Sequence, residues 1–186
     1  SIRRELRLRE SESRLKNAMK LGRMSPLEYD FASDRFLTDR QMSDIWGYAE
    51  YFDNNNPISR DKLLEKVHPD DKGFVIDKFD EAINTGTGID LSFRILSQGE
   101  LKYIHFVSEA VYDDRNTPVK LVGVAQDITG MKKLELSLAK NLEGLSFIAD
   151  KIGLGLWEME AGSGAISVLN YRANIHALKE HGVTHI

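Results

Sequence analysis

The sequence predicts an α+β domain that runs into a long helix, and three observations lead there. Two short strand-like runs, Leu27–Phe31 and Arg35–Thr38, flank the turn-rich Ala32-Ser33-Asp34, the pattern of a β-hairpin. Helix-forming runs fill most of the chain from Thr38 to Thr85. Three further strand-like runs lie between Leu91 and Ile128, and after Thr129 the apolar spacing changes from two to three and four.

The elements follow in order. Residues Ile2 to Leu21 are charged and helix-prone, with Leu6, Leu15, Ala18 and Met19 on a ragged apolar stripe. After the hairpin, Thr38 or Asp39 can cap a short helix through Ile45 and Trp46, closed by Gly47. Asp53-Asn54-Asn55-Asn56-Pro57 is a loop, and Ser59 to Val67 one or two helical turns. In His68-Pro69-Asp70-Asp71 the proline interrupts the preceding helix. Asp70 then stands where a cap is wanted, ahead of an amphipathic run through Phe74, Val75, Phe79 and Ile83 that stops at Gly86. Leu91-Phe93-Ile95 alternate with Ser92 and Arg94 as a half-buried strand. Leu101–Tyr112 and Val119–Ile128 complete the set. Gly123, inside the last strand, marks a bulge or a close approach of something to the backbone.

No loop separates that strand from the helix behind it. Met131, Leu134, Leu138, Leu142, Leu145, Ile148 and Ile152 recur at helical spacing with charged flanks, a coiled-coil seam or a long surface helix. At about 1.5 Å per residue it reaches roughly 30 Å. Asp127 or Thr129 can cap its first turn, so strand and helix should move together. Asp127, Ile128 and Thr129 are therefore the expected transmission residues.

Composition excludes several functions. The chain has 186 residues, 41% hydrophobic and 29% charged, enough for a packed core. A net charge of −4 argues against nucleic-acid binding. Arg3, Arg4, Arg7 and Arg9 alternate with acids, as on a solvated helix face. The absence of cysteine removes disulfides, thiolate catalysis, thiolate zinc sites and cysteinyl cofactor adducts, and fits a cytoplasmic protein. No apolar run approaches the ~20 residues that span a bilayer, and no membrane contact is expected.

The tail repeats the front at a constant offset. Glu28, Ser33 and Ile45 recur as Glu158, Ser163 and Ile175, and Tyr29, Asp30 and Phe36 have Met159, Glu160 and Ile166 as counterparts. The second copy reaches only a hairpin and a helix, too little for a core of its own. With a first residue in mid-helix, this makes the chain an expected fragment of a longer protein. The expected parts are a helix or linker over 1–22, a domain over 23–129, a linker helix over 130–152 and the start of a second domain over 153–186.

Three motifs carry a resemblance: VHPDDK at Val67–Lys72, LSFRI at Leu91–Ile95, and PVKLVGVAQDITGMKKLE at Pro118–Glu135. Together with the element order, they make residues 15 to 135 resemble a PAS domain, the last motif being similar to the C-terminal PAC motif of the sensory-box subclass. Gly130 departs from that pattern, which usually has Glu there. The resemblance implies a five-stranded antiparallel sheet with helices on one face. It implies an input or relay module upstream of a histidine kinase in a two-component system, with a diguanylate cyclase as an alternative output and a non-sensing dimerisation spacer as an alternative role. The implied partners are a second copy, through the N-terminal and linker helices, and neighbouring PAS and output domains in the parent chain.

The expected ligand pocket comprises Trp46, Phe79, Phe93, Ile95, His105, Val122, Val124 and Gln126. It leaves room for a noncovalent flavin or another small molecule, and equally for a packed interior with no ligand. Haem is not expected: the family's haem sensors carry their axial His on the helix that here runs Asp70–Thr85, which has none. His68 is read as a residue at a helix entrance, and His176, His181 and His185 as surface histidines without the acidic or thiolate partners of a metal site. No nucleophile accompanies His68 at a recognisable spacing, and no catalytic residue or metal ligand is expected in this chain.

Overall fold

A computed structural model describes residues 2–53, 55–155 and 157–168. The chain divides into two compact units, residues 1–130 and 131–186.

In the first unit, helix α1 (Ile2–Leu21) leads into a sheet of six strands. These are β1 (Met24–Asp30), β2 (Arg35–Thr38), β3 (Ile58–Ser59), β4 (Ile89–Ser97), β5 (Glu100–Tyr112) and β6 (Pro118–Asp127). Their order across the sheet is β3-β2-β1-β6-β5-β4, and every neighbouring pair is antiparallel. The resemblance implies five strands. The sixth, β3, has two residues, too short to leave a period-two pattern. Helices α2 (Arg40–Trp46), α3 (Arg60–Leu64) and α4 (Pro69–Thr85) lie in the connection between β2 and β4.

Local chemistry sets these boundaries. Asp39 accepts from the Gln41 N–H and starts α2, and Gly47, at φ +70°, ends it. At α4 the cap is His68 rather than Asp70: its Nδ1 accepts the Asp70 N–H at 3.3 Å, and Pro69 takes the first helical position. Asp71 is thereby free to reach across to β4. Its carboxylate accepts the Arg94 backbone N–H at 2.8 Å and faces the guanidinium at 2.5 and 2.9 Å. These bonds hold the Asp71 carboxyl below the usual carboxylate range, the Arg94 side chain contributing most.

The core fills the space between sheet and helices. Tyr29, Phe36, Phe79 and Phe106 are each at most 1% exposed, and consecutive rings lie 4.6 to 5.7 Å apart. The Tyr29 hydroxyl donates to Asp34, whose carboxylate meets Arg60 at 3.1 Å; Arg60 also reaches Asp80 at 2.7 Å. Burial, and then the bond to Asp34, push the Tyr29 phenol well above its ordinary pKa. This arrangement ties the β1–β2 turn to α3 and α4.

In the second unit, α5 (Thr129–Ile152) continues from Met131, and Met131, Leu134, Leu138, Leu142, Leu145, Ile148 and Ile152 are all exposed. Strands β7 (Trp157–Met159) and β8 (Ile166–Val168) then form a hairpin. Its register reproduces that of β1 and β2. Tyr29 pairs with Phe36 and Met159 with Ile166; Leu27 pairs with Thr38 and Trp157 with Val168. The turns agree too: Ser33 donates to Asp30 as Ser163 does to Glu160, and Asp34 and Gly164 both have positive φ. The helix expected after this hairpin lies outside the described residues.

Candidate functional site

The expected pocket residues divide between the two faces of the sheet. Trp46, Phe79, Phe93 and Ile95 are buried in the core, with the Trp46 and Phe93 rings 6.5 Å apart. His105, Val122, Val124 and Gln126 lie on the opposite face. On β6 it is Leu121 and Ala125 that enter the core, while Val122 is 39% exposed. The eight therefore do not line one cavity, and Gln126 is not placed to serve a flavin beside Trp46, Phe79 and Phe93. A pattern of apolar residues could not decide the face, because the core-facing set contains a glycine for steric reasons. A Cβ on Gly123 would lie 2.0 Å from the Val107 carbonyl oxygen and 2.6 Å from Ser108 Cα. That position needs the absence of a side chain, and the outward Val122 and Val124 look more core-like than it does. Gly123 thus marks a close approach; the irregularity in the β5–β6 ladder falls at Val111 and Tyr112.

The histidines are accounted for locally. His105 pairs with Asp90 across β4 and β5 at 2.9 Å, and His68 caps α4. Among the described residues no group of His, Asp or Glu is arranged to hold a metal ion. His176, His181 and His185 lie outside them. A surface groove of about 640 Å³ runs between the end of α1 and the start of α2, lined by Lys16, Lys20, Arg23, Arg40 and Asp44 among others. None of the eight pocket residues contributes to it. Among the described residues no helix is long and apolar enough to cross a membrane.

The three transmission residues are brought together, at the junction of β6 and α5. Ile128 alone separates the last strand residue, Asp127, from the first helical residue, Thr129. The Asp127 carboxylate is 1% exposed, and its Oδ1 accepts the Thr129 N–H at 2.9 Å, so Asp127 is the residue that caps. The Thr129 hydroxyl turns back instead, and Oγ1 accepts the Tyr103 N–H at 3.0 Å. The Ile128 N–H donates to the Tyr103 carbonyl at 2.9 Å. Backbone that would be free in a loop is hydrogen-bonded to β5.

Arg23 escaped the sequence reading at this junction, and Gln126, expected in the pocket, serves the junction instead. The Arg23 guanidinium meets Asp127 Oδ2 at 2.7 Å, and the Gln126 amide donates to the Gly22 carbonyl at 3.1 Å. Arg23 is about a hundred residues from Asp127 in the chain and lies in no motif; only the register of β1 against β6, with Met24 opposite Gln126, brings it there.

Comparison with known proteins agrees with this geometry. The family model for the PAS fold matches residues 35–125. The crystal structure of a sensory box histidine kinase/response regulator from Burkholderia thailandensis E264 is 19% identical, with a TM-score of 0.55, and the match covers 71% of this chain and 97% of that one. The N-terminal domain of a diguanylate cyclase with PAS/PAC sensor from Marinobacter aquaeolei is 20% identical, with a TM-score of 0.52, over 59% of this chain and 98% of the other. No curated protein matches. The sheet order, the helices between β2 and β4 and the family match lead to one conclusion: the domain from β1 to the Asp127–Thr129 junction is a PAS domain.

Proposed function

We propose that this PAS domain is a sensory and relay module of a multi-domain cytoplasmic signalling protein, most naturally a sensor histidine kinase of a two-component system. It passes a change in its core or partners through Asp127, Ile128 and Thr129 into α5. The observation that carries this reading is the junction itself, where the capping bond and the two bonds to Tyr103 join strand to helix. The exposed apolar row along α5 supports a parallel homodimer in which small rotations travel along the helix to the next module. The matching registers of the two hairpins support a second PAS-like domain beginning after α5. The module itself carries out no chemistry.

A second reading has its own observation. The rings of Tyr29, Phe36, Phe79 and Phe106 fill the interior where a ligand would bind, which favours a dimerisation or spacer module with a packed core. The two readings share the dimer and differ in whether the junction conducts.

Insertions after Lys133 in the full-length parent separate them. Four residues shift the apolar seam by about half a heptad, whereas seven restore it. A conducting junction loses or inverts regulated output with four and recovers it with seven. Equal output from both refutes phase-sensitive transmission.

A further inference from the structure

The junction has an attachment on its other side. Helix α1 ends at Leu21, and the chain turns through Gly22 and Arg23 before β1 begins. Arg23 has a φ of +52°, a left-handed conformation that side-chain-bearing residues seldom adopt. The turn is tight: a Cβ on Gly22 would meet Met24 Sδ at 3.2 Å and the Ala18 carbonyl oxygen at 3.3 Å.

Three interactions run from this turn to the last two residues of β6. The Gln126 amide donates to the Gly22 carbonyl at 3.1 Å, the Asp127 N–H donates to the Arg23 carbonyl at 3.0 Å, and the Arg23 guanidinium pairs with Asp127 Oδ2 at 2.7 Å. The other oxygen of that carboxylate caps α5. A single buried carboxylate is thus held by the end of one helix and holds the start of another. Among the described residues its Oδ2 has no partner besides Arg23. Removing the cation leaves a buried anion half unpaired, the situation in which loss of one partner weakens everything the group supports.

We propose that Arg23 gives the junction a second input. A shift of α1 reaches the first turn of α5 through the Arg23–Asp127 ion pair, without passing through the aromatic core. The inference rests on the transmission reading and adds to it a source of signal: whatever lies upstream of α1, rather than a ligand inside the domain. Arg23 is here a positioning residue, acting on α5 through Asp127.

Residue-resolved amide hydrogen exchange on the whole 186-residue chain tests this. Arg23→Gln should speed exchange at the Thr129 and Lys133 amides about tenfold, the factor set by ~1.4 kcal/mol at the low end of the range for a buried group losing its partner. Phe93 and Phe106 should keep their rates, and Arg23→Lys should recover most of the protection. Ala18→Pro, which disrupts the last turns of α1 without touching the pair, should speed exchange at Thr129 severalfold. In an Asp127→Asn background, where no counter-ion is needed, both Arg23→Gln and Ala18→Pro should change Thr129 by less than about twofold. Equal loosening with and without the Asp127→Asn change would overturn the proposal. So would a uniform loss of protection across β1 to β6, which would make Arg23 a support of the fold alone. Exchange reads the junction with no output domain present, so it can succeed while the insertion test fails, and the reverse.

Discussion

Gly123→Ala should destabilise this domain far more than one methyl group ordinarily does. Gly123 lies on β6, hydrogen-bonded into the sheet between β1 and β5, opposite Leu27 on one side and Ser108 on the other. The added Cβ would stand 2.0 Å from Val107 O, 2.6 Å from Ser108 Cα and 2.7 Å from Ser108 Cβ. The nearest obstacle is backbone, so no rotamer change relieves it, and β5 must retreat by about 1 Å. That carries N···O distances from about 2.9 Å to nearly 4 Å, beyond hydrogen-bonding range. Two ladder bonds at about 0.5–1.5 kcal/mol each, with about 1–3 kcal/mol of overpacking, give a loss of roughly 2–6 kcal/mol. At about 4–8 °C per kcal/mol for a domain of this size, the melting temperature should fall by roughly 8 °C or more. Gly73→Ala is the matched control. Gly73 is on the exposed side of α4 with nothing within 4 Å of its would-be Cβ, and alanine there should stabilise by about 0.5–1 kcal/mol. Urea unfolding followed by circular dichroism measures both. A loss below about 1 kcal/mol for Gly123→Ala, or two variants that move together, would refute the steric account.

Three other outcomes follow from the packing and the charges. Phe79→Ala removes the ring that meets Tyr29, Phe36 and Phe106, and should lower the unfolding free energy by about 3–5 kcal/mol in the same assay. Asp71 has its pKa lowered in the folded state from 3.8, so its contribution is present above about pH 4 and is lost as the pH falls through the depressed folded value. Urea midpoints of wild type and Asp71→Asn should therefore differ at pH 7 and converge in strong acid. Gly130, with open space around its would-be Cβ at the start of α5, should accept alanine with a gain of about 0.5–1 kcal/mol, seen as a raised melting temperature. That test also addresses whether the glycine softens the junction.

Much of this architecture could be read in advance, for identifiable reasons. Asp39 and Gly47 bound α2 because a short acid and a left-handed glycine are strong local signals, and the Asp127-Ile128-Thr129 junction lay where the apolar period changed. The failures were non-local. The two faces of β6 could not be told apart, because Gly123 is small to let β5 approach, a requirement set by a neighbouring strand. His68 rather than Asp70 caps α4 because Pro69 takes the first helical position, and the contact of Asp71 with Arg94, 23 residues away, left no local signal. Arg23 reached the junction through strand register alone.

The central proposal is that the Asp127–Thr129 junction couples β6 to the start of α5, and Thr129→Val tests it most directly. Valine keeps the shape of threonine but removes the oxygen that accepts the Tyr103 N–H. Residue-resolved amide exchange at Ile128, whose N–H bonds the Tyr103 carbonyl, and at Thr129 and Lys133 should rise by the same factor, because all three report one opening of the junction. Faster exchange at Tyr103 alone, with unchanged rates at these three, would contradict the account, since the helix would then be anchored independently of the sheet.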